Sequence, residues 1–120
     1  MAQSFRDLLV WQKAMDMTVA VYEVTRTFPS SERFGLSSQL NRASVSVASN
    51  IAEGRGRNSQ AEFKHFLSLA QGSNYEVQTQ LLLSKRLKIA KETQLDSAEG
   101  LSIEVGKMLS SLITTIRAKS

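Results

Sequence analysis

Apolar side chains recur at every third or fourth position through nearly the whole chain, and a single proline, Pro29, breaks the run. That period matches 3.6 residues per helical turn and leaves no room for the strict alternation of a half-buried strand. Turn-forming residues gather in three places: Phe28-Pro29-Ser30-Ser31, Gly54-Arg55-Gly56-Arg57-Asn58, and Lys88 to Thr93. They cut the chain into four segments, each of which reads as an amphipathic helix.

In the first segment Leu8, Trp11, Met15, Thr18, Tyr22 and Thr25 form one stripe, with Val10, Ala14, Met17, Val21 and Val24 beside it. The second carries Leu36, Leu40, Ala43, Val47, Asn50 or Ile51, and Gly54. The third carries Phe63, Leu67, Ala70, Asn74, Val77 and Leu81, with Phe66 and Leu69 alongside. The fourth carries Leu95, Ala98, Val105, Leu109, Leu112 and Ile116, widened by Leu101 and Met108. Ser59 followed by Glu62 predicts a capping box at the start of the third helix, and Thr93 with Asp96 a weaker one at the start of the fourth. Lys85, Arg86 and Lys88 complement the dipole at the third helix's C-terminus. Four such helices joined by short connections predict an all-α fold, an up-down-up-down antiparallel four-helix bundle occupying residues 1–120 as one domain.

Composition removes many functions. The absence of cysteine excludes disulfides, zinc–thiolate sites, iron–sulfur clusters and a cysteine nucleophile. Glu62-Phe63-Lys64-His65 contains the Glu-x-x-His element of di-iron bundles, but His65 is the one histidine, so no second pair exists. No Gly-x-Ser-x-Gly elbow, P-loop or dinucleotide fingerprint is present, so neither a catalytic residue nor a cofactor is expected. No apolar run approaches the roughly 20 residues of a membrane span, and charged residues interrupt any secretory leader, so a cytoplasmic location is expected.

Three polar features remain. Arg42, Ser46, Ser49 and Glu53 fall within about 60° of one another on the second helix. Glu76 on the third helix lies near Phe66, Leu69 and Ser73, and burial there would demand a partner such as Arg42 or Arg57. An interhelical network fixing register is the simpler account of this set; a ligand site is the sharper one. Next, the turn Gly54-Arg55-Gly56-Arg57-Asn58-Ser59 places two guanidiniums just before a helix N-terminus, with Lys64 about one turn further on. Planar guanidiniums and free N–H groups suit phosphate oxygens, while the plain alternative is a solvated turn with a salt bridge from Arg57. Last, Ser44, Ser46, Ala48, Ser49 and Ala52 give the second helix a small-residue surface, fit either for a subunit contact or for close packing within the bundle.

The runs Phe5-Arg6-Asp7-Leu8-x-Val10-Trp11-Gln12-Lys13-Ala14, Phe28-Pro29 and Phe34-Gly35-Leu36 open a wider pattern. It continues through Gln39-Leu40-x-Arg42-Ala43-x-Val45-Ser46-x-x-Ser49-Asn50-Ile51-Ala52-Glu53-Gly54-x-Gly56-Arg57 and Glu62-Phe63-x-x-Phe66-Leu67 to Ala70-x-Gly72-Ser73-x-x-Glu76. This pattern resembles the four-helix-bundle family of 23S rRNA intervening-sequence proteins, from about residue 5 to residue 80. Some members of that family are encoded within large-subunit rRNA genes. Others are accessory proteins of diversity-generating retroelements, where a ring of five subunits binds nucleic acid and a reverse transcriptase. The resemblance therefore implies a homo-oligomer, a pentamer, with RNA or DNA and a reverse transcriptase or ribosome-associated protein as partners. It implies no enzyme activity, and the lack of a long apolar run gives no reason to expect a membrane partner. Of the matched positions Arg42, Asn50, Glu53 and Glu76 read as a structural polar network, and Arg55 and Arg57 as either structural or phosphate-binding. Asn41 stands where relatives often carry a basic residue. Asn74 stands where an apolar one is usual, and would either loosen the core or donate to a polar network.

A net charge of +4 is weak for a monomer. Five copies would carry about +20, enough to draw a polyanion. The competing expectation is an assembly or adaptor module with no nucleic-acid ligand. Catalysis survives in one form only, a subunit-interface site built from Arg42, Glu53 and Glu76 of different chains.

Overall fold

The computed structural model describes residues 4–119, apart from the Lys119 side chain. Its four helices are α1 (Leu9–Thr25), α2 (Leu36–Arg55), α3 (Gln60–Arg86) and α4 (Glu92–Lys119), with short 3₁₀ turns at Phe5–Asp7 and Ser30–Glu32. Each helix packs on the next, and α1 also packs on α4, so the four close into an antiparallel bundle. The rod measures 46 × 20 × 19 Å.

The inner stripes are those the periodicity indicates. Val10, Ala14, Met17, Val21 and Val24 are buried against Leu40, Val47 and Ile51 of α2, Leu67, Ala70, Val77 and Leu81 of α3, and Leu95, Ala98, Val105 and Leu109 of α4. The second stripe of α1 is the one that faces inward. Of its neighbour stripe, Leu8, Trp11 and Thr18 are half-buried while Met15 and Tyr22 are exposed. Small residues set the spacing of the helices. Ser44 and Ala48 are buried inside the chain, and Thr18 Oγ1 donates to the Ser44 carbonyl at 3.1 Å across the α1–α2 seam. Close packing within the bundle accounts for these two. Gly54 marks another tight crossing, since a Cβ there would lie 2.6 Å from the Phe66 Cβ of α3.

Local chemistry sets the helix ends. Ser59 Oγ accepts from the Glu62 N–H at 3.1 Å and caps α3. At its other end the Lys88 N–H donates to Lys85 and the Ile89 N–H to Ser84, the paired bonds of a Schellman motif. The residue that must turn left-handed there is Lys88, with φ 55°, where glycine is usual. Ile89 then folds back onto the core. The Thr93 cap is not realised: α4 begins at Glu92, so Thr93 lies inside the first turn. The Lys91 carbonyl accepts the first amides instead, and the Asp96 carboxylate turns to Lys85. Lys85 bridges two helices by pairing with both Asp96 and Glu99, the latter at 2.7 Å. These two carboxylates hold the ammonium proton and raise the Lys85 pKa well above its ordinary value.

Candidate nucleic-acid interface

The α2–α3 connection is four residues long, and its tightness follows from Gly54 and Gly56. Gly54 lets the last turn of α2 press on Phe63 and Phe66, and the Gly56 N–H donates back to Ala52 and Glu53. The chain thus reverses beside the start of α3. A cleft of about 540 Å³ opens there, walled by Arg55, Arg57, Asn58, Ser59 and Gln60 and floored by Leu8, Phe63, Leu112 and Ile116. Among the described residues no carboxylate lines it.

The two arginines differ in what holds them. The Arg57 guanidinium lies 4.7 Å from the centre of the Phe66 ring and 3.5 Å from Glu53 Oε1, one turn back on α2. Both contacts orient it, and the exposed pair with Glu53 adds little stability. Arg55, half-buried at the last position of α2, is in no ion pair among the described residues. Lys64 is half-buried on α3 and lies outside the cleft. The turn therefore gathers Arg55 and Arg57 at one mouth and leaves Lys64 along its flank.

The polar set Arg42, Asn50, Glu53 and Glu76 is not brought together. Asn50 Nδ2 donates to the Ser46 carbonyl and hydroxyl at 2.8 and 3.0 Å, and Ser46 Oγ meets Ser73 Oγ at 2.9 Å, linking α2 to α3. Arg42 is exposed and reaches Ser38 on its own helix at 3.4 Å. Glu53 serves Arg57, and Glu76 is exposed, so the buried charge that would have required a partner does not arise. Asn41 Oδ1 accepts from Thr25 Oγ1 at 2.9 Å, tying the end of α1 to α2. His65 is exposed, and among the described residues no three His, Cys, Asp or Glu side chains converge as metal ligands.

The most enclosed polar contact is one that periodicity alone underspecified. Asn74, fully buried, donates through Nδ2 to the Ser102 carbonyl at 2.9 Å and accepts from Ser102 Oγ at 2.7 Å. Asn74 thus joins a polar network rather than loosening the core. The signal was there to read: Ser102 falls midway between Ala98 and Val105 on the inward stripe of α4.

The sequence profile of the 23S rRNA-intervening sequence protein family matches residues 6–111. The chain belongs to that family. A crystal structure of a protein of unknown function from the S23 ribosomal protein family of Bacteroides thetaiotaomicron superposes with a TM-score of 0.81. It is 26% identical, and the match covers 88% of this chain and 98% of that one. No curated protein matches. Neither the family description nor this neighbour points to an enzyme class. Among the described residues, no helix of this 23S rRNA-intervening sequence family member is long and apolar enough to cross a membrane.

Proposed function

We propose that the protein is a non-catalytic cytoplasmic scaffold that assembles with copies of itself, as a pentamer, and binds RNA or DNA through backbone phosphates. The observation that carries this reading is the cleft at the α2–α3 turn, where Arg55 and Arg57 face a helix N-terminus with no carboxylate among the described residues of the lining. Lys64 extends the same basic edge along α3. The Asn50–Ser46–Ser73 chain supports a structural role for Asn50, and it holds the helices that carry the turn. Arg42, Glu53 and Glu76 all lie at the surface, with Glu53 held by Arg57.

Titrating a labelled RNA at several salt concentrations tests the proposal. Phosphate binding gives an affinity that falls steeply with salt, and Arg55→Ala with Arg57→Ala weakens it and flattens that dependence. Absence of binding even at low salt refutes it, and a monomeric mass at high concentration refutes the assembly.

A second reading rests on a different surface. Leu69, Leu83 and Leu87 are all exposed and fall within about 40° of one another on α3, an apolar stripe that no other element of the chain covers. It favours an assembly or adaptor module whose partner is a protein, such as a reverse transcriptase or a ribosome-associated factor. Co-purification of such a partner with no nucleic acid in the complex supports this version.

A further inference from the structure

At the opposite end of α2 from the Gly-Arg-Gly-Arg turn, the α1–α2 connection folds over a cleft of about 610 Å³. Three arginines from three different elements line it: Arg26 at the end of α1, Arg33 after the second 3₁₀ turn, and Arg42 on α2. Among the described residues none of the three is ion-paired, and no Asp or Glu lines the cleft. The nearest acid along the connection, Glu32, is turned toward the Leu36 N–H at 3.4 Å. Three uncompensated guanidiniums around one concavity concentrate positive potential there.

Two aromatic rings share the same lining. Phe34 is 87% exposed, more than any other large apolar side chain of the described residues, and Tyr22 is 37% exposed. No core contact explains an exposed phenylalanine ring. Arg33 lies over it, with its guanidinium carbon 5.4 Å from the ring centre. A flat ring beside unpaired guanidiniums is the surface that stacks an unpaired base while its phosphate is held alongside. The site is built in advance. Thr25 bonds to Asn41 across the seam, and Phe28 is buried beneath the connection, so the walls stand without a ligand.

We propose that this cleft binds single-stranded nucleic acid, with a base stacked on Phe34 and flanking phosphates held by Arg26, Arg33 and Arg42. Duplex ends and loops qualify only where bases are unpaired, because a paired base cannot reach the ring. The site is independent of the Arg55–Arg57 turn and can bind whether or not the turn does.

The test is fluorescence anisotropy with a labelled 15-nucleotide oligouridine and a blunt 15-base-pair RNA duplex, at several salt concentrations, on the full chain. Phe34→Ala is expected to weaken oligouridine binding about tenfold, and Phe34→Trp to retain it. Arg33→Ala and Arg42→Ala are each expected to lower the salt slope by about 0.7. Because Phe34 and both arginines are exposed, these variants are expected to keep the wild-type helical signal. The duplex should bind more weakly than the single strand. Oligouridine binding lost with Arg55→Ala/Arg57→Ala but untouched by the cleft variants overturns this proposal and leaves the turn standing. Loss in the cleft variants alone supports the cleft and removes the turn. Equal affinity for duplex and single strand, or a phosphoserine peptide that displaces the oligouridine at equal concentration, overturns the base-stacking assignment. No binding by the wild-type protein overturns both.

Discussion

Replacing Asn74 with alanine removes two hydrogen bonds from the driest part of the bundle and leaves Ser102 Oγ without its acceptor. Each bond contributes about 0.5–1.5 kcal/mol net, and a buried polar group left unsatisfied costs about 1–3 kcal/mol. The Ser102 carbonyl keeps its place in α4, so the larger loss is the hydroxyl's partner and the packing of the amide against Gly106. A Cβ at Gly106 would sit 3.2 Å from Asn74 Nδ2, which shows how closely the amide is held. Asn74→Ala is therefore expected to cost about 3 kcal/mol, and Ser102→Ala, which orphans Asn74 Oδ1, about 1.5 kcal/mol. The double variant has no orphan left, and its loss should fall short of the sum of the singles by about 1–2 kcal/mol. Urea unfolding followed by circular dichroism, at one fixed protein concentration so that assembly does not shift the baseline, measures all four proteins. Losses that add to within about 0.5 kcal/mol mean that the two side chains do not act as a pair, and the account of this contact fails.

Lys88→Gly relieves a left-handed backbone position and should stabilise the protein by about 1 kcal/mol, raising Tm by roughly 3–6 °C. Gly54→Ala drives a Cβ into Phe66 and should cost about 1–2 kcal/mol net of its helix-propensity gain, as read from chemical denaturation. Gly72→Ala and Gly100→Ala meet nothing within 4 Å and should instead gain about 0.5–1 kcal/mol in the same assay. Lys85 has its pKa raised by Asp96 and Glu99, so its contribution is fully present below the unfolded lysine value of about 10.4 and is lost as pH climbs beyond it. Unfolding between pH 9 and 12 should show a steeper alkaline decline for wild type than for Lys85→Gln, and parallel curves would contradict the pairing.

The helices were legible because burial repeats with the helical period: Val10, Ala14, Met17, Val21 and Val24 are spaced as a turn dictates, and all five are inside. Ser59 was legible for a similar reason, since a cap is a local event. Thr93 was not: α4 starts one residue before it, and Asp96, the residue expected to complete its capping box, meets Lys85 eleven positions away on another helix. The same limit applies to the sites. Arg55 and Arg57 stand together in sequence, so their shared cleft could be anticipated. Arg26, Arg33 and Arg42 are separated by stretches of ordinary composition, and only the fold of the connection gathers them with Tyr22 and Phe34. Glu76 shows the converse: its apolar neighbours hinted at burial, but Leu69, which shares its stripe, is itself exposed, and both lie off the inward face of α3.

The length of α2 fixes a ruler. Arg42 and Arg55 both belong to this helix, and thirteen residues at 1.5 Å each put their backbones about 20 Å apart along its axis. At 100° per residue the two also sit about 140° apart around the helix, so a strand reaching both would wrap α2 and need more than the about six nucleotides of the axial interval. On the two clefts proposed above, oligomers shorter than this would reach one end of the helix, and affinity should step upward once a ligand becomes long enough to reach both.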